Sequence, residues 1–217
     1  MNINLYILIP SILIGYLLGS ISFASIITKK IKGLDIKEIG SGNAGTTNVL
    51  RSVGFLPALV TFLLDLFKGT LGAIIPWAIV YFTIVKGPGI YMVLGGIATI
   101  IGHTFPVFFK FKGGKGVATY LGVILAINPL VFAINIFIML TIILITRMVS
   151  LASITISIVT PILMVFLNKN SISPDEKWIF ALAFLLIGAV ITFMHRENIK
   201  RIREGAENKI TFKKWIN

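Results

Sequence analysis

The 217-residue chain contains no cysteine, only two histidines and only eight acidic residues. Without cysteine there is no disulfide, no thiolate nucleophile and no cysteine-ligated metal. So few histidines and acids cannot build a rich metal cluster, and the reading that follows calls for no metal and no cofactor. Strict alternation of apolar and polar residues is also missing, which argues against a transmembrane barrel. No internal repeat or low-complexity segment stands out. The first apolar run, Ile3 to Ile27, has no Lys or Arg ahead of it and no short apolar core with a small-residue cleavage site. It reads as a retained helix rather than a signal peptide.

What the chain has in abundance is apolar length. It is 56% hydrophobic, with a mean hydropathy of +0.96. Apolar runs fill Ile3 to Ile27, Val53 to Val85, Gly89 to Phe109, Val117 to Thr146, Val149 to Leu167 and Trp178 to Met194. Most reach the roughly 20 residues that cross a hydrocarbon core. A soluble protein of this size cannot hide so many, and backbone groups in lipid need internal partners, so the runs are predicted to be helices. The expected class is an all-α, polytopic integral membrane protein, with residues 1–217 forming a single integral membrane domain.

The net charge of +12 is distributed unevenly. Lys29, Lys30, Lys32, Lys37 and Arg51 lie between the first two long runs; Lys110, Lys112 and Lys115 follow the third; Arg196, Lys200, Arg201, Arg203, Lys209, Lys213 and Lys214 follow the last. Cytoplasmic loops carry the positive excess. All three clusters share a side only if Val117 to Thr146 is broken at Asn128-Pro129, where proline disrupts the backbone ladder. That count predicts seven helices, with the N-terminus outside, the C-terminus cytoplasmic and a short fourth helix. The inside loops then hold sixteen of the twenty basic residues, Arg147 included, and the outside loops hold Lys86, Lys169 and Lys177.

Three polar segments interrupt the apolar runs. GSGNAGTTNVLR (Gly40 to Arg51) offers glycines at 40, 42 and 45 for close backbone approach, donors from Ser41, Thr46, Thr47, Asn43 and Asn48, and a guanidinium at Arg51 suited to bidentate phosphate contact. The apolar run that follows is expected to start a helix at once and to aim its N-terminal amides into the same space. The same residues equally suit a Gly/Asn turn with a helix cap and a juxtamembrane arginine. GHTFPVFFKFKGGKG (Gly102 to Gly116) has the look of a phosphate cradle. It is not a Walker A loop, because Lys115 is followed by Gly116 and Val117 where Ser or Thr would ligate magnesium. A flexible positive-inside anchor is the competing reading, against which its four glycines weigh. His103 reads as a buttress for this loop. In HRENIKRIREGAE (His195 to Glu207), helical spacing puts His195, Asn198, Ile199, Ile202 and Ala206 on one inward face and Arg196, Lys200, Arg203 and Glu207 on another. Lys213 and Lys214 suit attraction to anionic lipid. Asp65 and Lys68, three apart in the second run, are predicted to form a mutual salt bridge, an ion or proton pathway being the alternative. Arg147, Ser150 and Ser153 fall in the short fifth loop.

In order, spacing and span context, these segments resemble the bacterial acyl-phosphate-dependent glycerol-3-phosphate acyltransferase family (PlsY), and the resemblance covers essentially the whole chain. Ala44 stands where proline is common in that family, and Met194 where a basic residue often precedes the histidine. The H-x-x-x-x-D signature of soluble-domain glycerolipid acyltransferases is absent, since Phe108 follows His103 by five and Lys200 follows His195 by five. The resemblance implies an inner-membrane enzyme with its site on the cytoplasmic face. It would make lysophosphatidic acid from glycerol 3-phosphate and a long-chain acyl phosphate among membrane lipids, with no nucleic acid partner.

It also implies roles. Ser41, Arg51 and Lys112 would hold glycerol 3-phosphate. Gly113, Gly114 and Gly116 with Lys115 would cradle the acyl phosphate. His195, positioned with Asn198, would orient or deprotonate the attacking 1-hydroxyl, or else bind phosphate while the substrate's own phosphate serves as base. Gly42, Asn43, Asn48, Ser150 and Glu207 complete the expected substrate-binding set, Glu207 by holding Arg201 or Arg203. A transporter for an organic phosphate anion is the alternative from another class, but it would concentrate polar residues at the midplane of repeated halves. A phosphotransferase would usually demand metal-binding acids.

Overall fold

The structure, a computed structural model, describes residues 5–82, 89–167 and 174–211, and of helical residues 82 and 174–177 the backbone alone. The expectations placed on Lys86, Lys169, Lys213, Lys214 and the side chain of Lys177 fall outside the described residues. Among the described residues the regular elements are all helical, as the lack of alternation predicts. They form two compact units, Met1–Ile127 and Asn128–Asn217.

The first unit contains α1 (Leu5–Gly19), α2 (Phe23–Lys32), α3 (Thr46–Ser52), α4 (Phe55–Phe82), α5 (Gly89–Thr104), a 3-10 turn (Val107–Phe109) and α6 (Val117–Ile127). α1 packs on α5, and α4 packs on both α5 and α6. Lipid tails are as apolar as the side chains between these helices, so close backbone approach rather than water exclusion holds them together. Glycine makes that approach possible. A Cβ at Gly19 would strike the Thr99 carbonyl of α5, one at Gly69 the Thr119 carbonyl of α6, and one at Gly122 the Leu66 carbonyl of α4. Gly102 belongs to this set, facing the Tyr16 carbonyl of α1. It is a packing residue, so the glycine excess of the second polar segment does not all serve its loop.

The second unit contains α7 (Pro129–Thr146), α8 (Val149–Leu167), α9 (Pro174–Met194) and α10 (Arg196–Arg203). α8 packs between α7 and α9. The predicted break at Asn128-Pro129 is present and has a local cause. Asn128 Oδ1 accepts hydrogen bonds from the Leu130 and Val131 amides, both at 3.1 Å, and Pro129 occupies the first helical position, where no amide is needed. Inside the unit, Asn135 accepts from Thr160 Oγ1 at 3.2 Å and donates to the Val131 carbonyl, so neither buried polar group is orphaned. Elsewhere around α7, Phe137 and Ile145 are exposed by 72% and 77%. Such a surface belongs against hydrocarbon.

Among the described residues, five helical stretches are long and apolar enough to cross a bilayer: Leu5–Lys32, Phe55–Tyr81, Gly89–Phe109, Pro129–Thr146 and Val149–Leu167. Trp178–Met194 with Arg196–Arg203, bent by 61°, makes a sixth if the pair is one span. α6 is the short fourth apolar helix. Its 11 residues rise only about 17 Å, well under the roughly 30 Å of hydrocarbon.

Candidate active site

The first polar segment does not run directly into the long apolar helix. Arg51 sits in the last turn of the short α3, and α4 begins at Phe55 after Gly54. The expectation that a long helix follows Arg51 at once is therefore corrected: a glycine in a conformation with φ of 134° separates the two helices. Asn48 organises the loop. It is buried, donates through Nδ2 to the Ile36 and Ile39 carbonyls at 3.0 Å each, and accepts the Ser41 amide at 2.9 Å through Oδ1. Gly40 lies against it with φ of 61°, where a Cβ would meet Asn48 Oδ1 and Ser52 Oγ. Asn48 thus holds the turn that presents Ser41 and Gly42, both exposed, with Asn43 half-buried beside them. Ala44, the departure from the common proline, is buried in an apolar cluster with Ala24, Ile36, Val49 and Ala58.

Lys37 ties this segment to the second. Its Nζ donates to the Phe109 carbonyl at 3.0 Å and lies 5.3 Å from the centre of the Phe109 ring. Beyond the 3-10 turn, Lys110 and Phe111 both take left-handed backbone angles, φ 56° and 58°. The chain then folds back so that the Gly113 amide donates to the Thr104 carbonyl at 3.1 Å and the Gly114 amide to the His103 carbonyl at 3.2 Å. These carbonyls end α5 and lack helical partners of their own. The two glycine amides are therefore spent on the helix end. Lys112, exposed, and Lys115, half-buried, flank the turn, and α6 starts immediately after Gly116.

Beneath the turn lies a buried ionic cluster. Lys68 Nζ is 2.8 Å from Asp65 Oδ1, the predicted salt bridge. Lys68 also donates to the Ile21 carbonyl at 2.7 Å. His103 Nδ1 sits 3.5 Å from the same Asp65 oxygen and 3.1 Å from Thr119 Oγ1. The buttressing expected of His103 is present in this form. Its contact with Asp65 was not legible, because the two residues stand on different helices and no spacing along the chain relates them.

In the second unit, His195 joins α9 to α10. Its buried ring places Nδ1 2.8 Å from the Ile191 carbonyl. A carbonyl only accepts, so Nδ1 carries the proton and, in the neutral ring, Nε2 is the basic nitrogen. Asn198, one turn on, is buried as predicted, and Arg196, Lys200 and Arg203 are exposed as predicted.

The helical wheel fails further along. α10 ends at Arg203 and the chain turns through Gly205 with φ of 68°. Ala206 is consequently exposed, and Glu207, expected on the charged outer face, is buried. Its Oε1 accepts from Asn198 Nδ2 at 2.7 Å and Ser150 Oγ at 2.9 Å, and its Oε2 from Arg201 Nε at 3.0 Å. Of the two arginines weighed for it, Arg201 is the partner. Burial alone would raise the Glu207 carboxyl. The hydrogen bonds from Asn198, Ser150 and Arg201, with the Arg201 charge, outweigh that and hold it below the ordinary carboxylate value. The tail is anchored further by the Ile210 amide, which donates to the Arg147 carbonyl at 2.9 Å. Among the described residues no three His, Asp or Glu side chains gather as a metal site.

The glycerol-3-phosphate acyltransferase family profile matches residues 9–205. The glycerol-3-phosphate acyltransferase of Syntrophomonas wolfei is 42% identical over 198 residues, covering 91% of this chain and 94% of that protein. That of Aquifex aeolicus is 41% identical over 201 residues, covering 91% and 96%. Among solved structures, the fold is similar to PlsY (YgiH), an integral membrane glycerol 3-phosphate acyltransferase. Its glycerol 3-phosphate form aligns with a TM-score of 0.79 at 40% identity, over 94% of this chain and 95% of that one. Its lysophosphatidic acid form aligns with a TM-score of 0.77 at 39% identity, over 95% and 96%.

Proposed function

The chain belongs to the glycerol-3-phosphate acyltransferase family, and on that premise we propose that it moves a fatty acyl group from acyl phosphate to the 1-hydroxyl of sn-glycerol 3-phosphate. The observation that carries the reading is the pair of forms in which the similar PlsY was solved, one with glycerol 3-phosphate and one with lysophosphatidic acid. Those two molecules differ by one acyl ester, the substrate and product of a single acyl transfer. The comparisons favour this enzyme over the anion transporter.

The reaction balances simply. The 1-hydroxyl oxygen bonds to the acyl carbonyl carbon, the carbonyl carbon–oxygen bond to phosphate breaks, and inorganic phosphate leaves. The hydroxyl proton passes to a base. An acyl phosphate is a mixed anhydride, so proximity and charge neutralisation do most of the work. Ser41, Arg51 and Lys112 hold glycerol 3-phosphate. Lys115 and the N-terminal end of α6, next to Gly116, receive the acyl phosphate. His195 Nε2 accepts the proton or binds phosphate while the substrate's phosphate accepts it. The buried, bonded state of Asn48, Ser150 and Glu207 favours a positioning part for them within the substrate set, with Asn198, one turn after His195, tied to Glu207.

Residues 1–217 act as one catalytic domain in the inner membrane with its site on the cytoplasmic face. Seven apolar segments enter the bilayer, the N-terminus outside and the C-terminus inside, as the basic residues favour. α6 need not match the lipid thickness, because eight of its 11 residues are buried in protein.

The test is turnover by purified protein given acyl phosphate and glycerol 3-phosphate, following lysophosphatidic acid and released phosphate. Product from acyl-CoA and none from acyl phosphate would overturn the donor. His195→Ala should lower kcat if the ring takes the proton; a raised KM at unchanged kcat assigns it to binding.

A further inference from the structure

The cluster of Lys68, Asp65 and His103 has no part in the chemistry above, yet it puts ionisable groups where they are costly. Asp65 is 1% exposed and Lys68 3%. Removing such a pair from water is repaid only by good geometry and further hydrogen bonds. We propose that these three residues are a positioning device that sets the height of the Gly113–Gly114 turn, and thereby places Lys112 and Lys115 for substrate phosphate. The inference rests on the proposed acyltransferase reading.

The connection can be followed atom by atom. Ile21 precedes Ser22, the cap of α2, so its carbonyl lies outside the α2 ladder. Lys68 reaches it at 2.7 Å and lies 5.5 Å from the centre of the Phe23 ring. The ammonium therefore pins α4 to the break between α1 and α2. Its partner Asp65 meets the His103 ring from α4 at 3.5 Å, while Thr119 of α6 meets the same ring nitrogen at 3.1 Å. Two helices thus fix the plane and depth of one imidazole on a third.

The turn rests on that residue twice. The His103 and Thr104 carbonyls accept the Gly114 and Gly113 amides. A Cβ at Gly113 would strike the His103 carbonyl, and one at Gly114 would strike His103 Nε2. The ring is the floor of the turn, close enough that nothing larger than glycine fits above it. Lys112 and Lys115 are the residues on either side. If the floor drops, each ammonium shifts from the phosphate it serves, Lys112 from that of glycerol 3-phosphate and Lys115 from that of acyl phosphate. Where His195 takes the proton, the chemical step is touched less. His103, Asp65 and Lys68 are positioning residues, not catalytic ones.

Steady-state kinetics with acyl phosphate and glycerol 3-phosphate, on full-length protein, separate these effects. His103→Ala should raise the KM for glycerol 3-phosphate by about tenfold or more while kcat changes less than about threefold. His103→Asn keeps a polar atom near Thr119 and should recover part of the loss. Should His103→Ala fail to fold, the neutral double variant Asp65→Asn/Lys68→Met serves, because it removes both charges together; it should raise KM by about threefold. A lowered melting temperature with unchanged KM in any folded variant overturns the positioning role. Absence of turnover by the unaltered protein overturns the acyltransferase reading, and this inference with it.

Discussion

Replacing Glu207 by alanine should cost the second unit about 2–7 kcal/mol, most of it for two buried donors left without an acceptor. The structure allows the figure to be apportioned. Asn198 and Ser150 are each 7% exposed, and each donates to Oε1 of the carboxylate. A buried donor left without an acceptor costs about 1–3 kcal/mol. Arg201 donates to Oε2, but its side chain is 36% exposed. Water replaces its lost partner, so its share is about 0–1 kcal/mol. Glu207→Gln separates the contributions. Its carbonyl oxygen still accepts from Asn198 and Ser150, and only the contact with Arg201 is lost, for about 0–1 kcal/mol. Thermal or denaturant unfolding of purified protein in detergent reads both. The reasoning fails if alanine lies within about 0.5 kcal/mol of the unaltered protein, or if glutamine is as damaging as alanine. Since Asn198 holds the same helix as His195, the alanine variant should also lose activity beyond its loss of folded protein.

The Glu207 carboxyl is held below its ordinary value of 4.5, so its contribution to stability is present above that pH and is lost as the pH falls through 4.5 towards the folded-state value. Unfolding measured between about pH 6 and 3 should therefore show an acid-dependent loss that Glu207→Gln lacks; equal slopes in the two proteins would refute the assignment. Asn128→Ala removes the cap of α7 and should cost about 1 kcal/mol in the same assay. Gly122→Ala drives a Cβ into the Leu66 carbonyl; separating α4 from α6 should cost about 1–3 kcal/mol, and an unchanged melting temperature would mean the helices adjust freely. Reporter fusions after Lys115 and after the last residue should both report cytoplasm; opposite answers would refute seven segments.

Much of the fold could be read from the residues because membrane helices are written in length and charge. The apolar runs, the break at Asn128-Pro129 and the shortness of the fourth helix all follow from single-residue properties. The packing did not follow. Gly19, Gly69, Gly102 and Gly122 look in sequence like any other glycines, and only the neighbouring helix gives them their purpose. Nor could the path after Arg203 be extrapolated, since a wheel assumes the helix continues, and Gly205 ends that assumption. One turn moved Glu207 from the outer face to the interior.

For the site, residue type was a guide to chemistry but not to which side of the chemistry a residue stands on. Ser41 and Lys112 are exposed, whereas Asn48, Ser150, Asn198 and Glu207 are buried and bonded to one another or to the backbone. Both groups consist of polar side chains of the kinds that suit phosphate, so residue type alone does not separate the exposed from the buried. The scarcity of acids then acquires a physical sense. A carboxylate facing a phosphate repels it, and more strongly where water is thin. Among the described residues the two buried carboxylates are each matched by a cation, Asp65 with Lys68 at 2.8 Å and Glu207 with Arg201 at 3.0 Å. Acid is used where it is neutralised, and the net charge of +12 suits the two anionic substrates proposed above and the lipid around them.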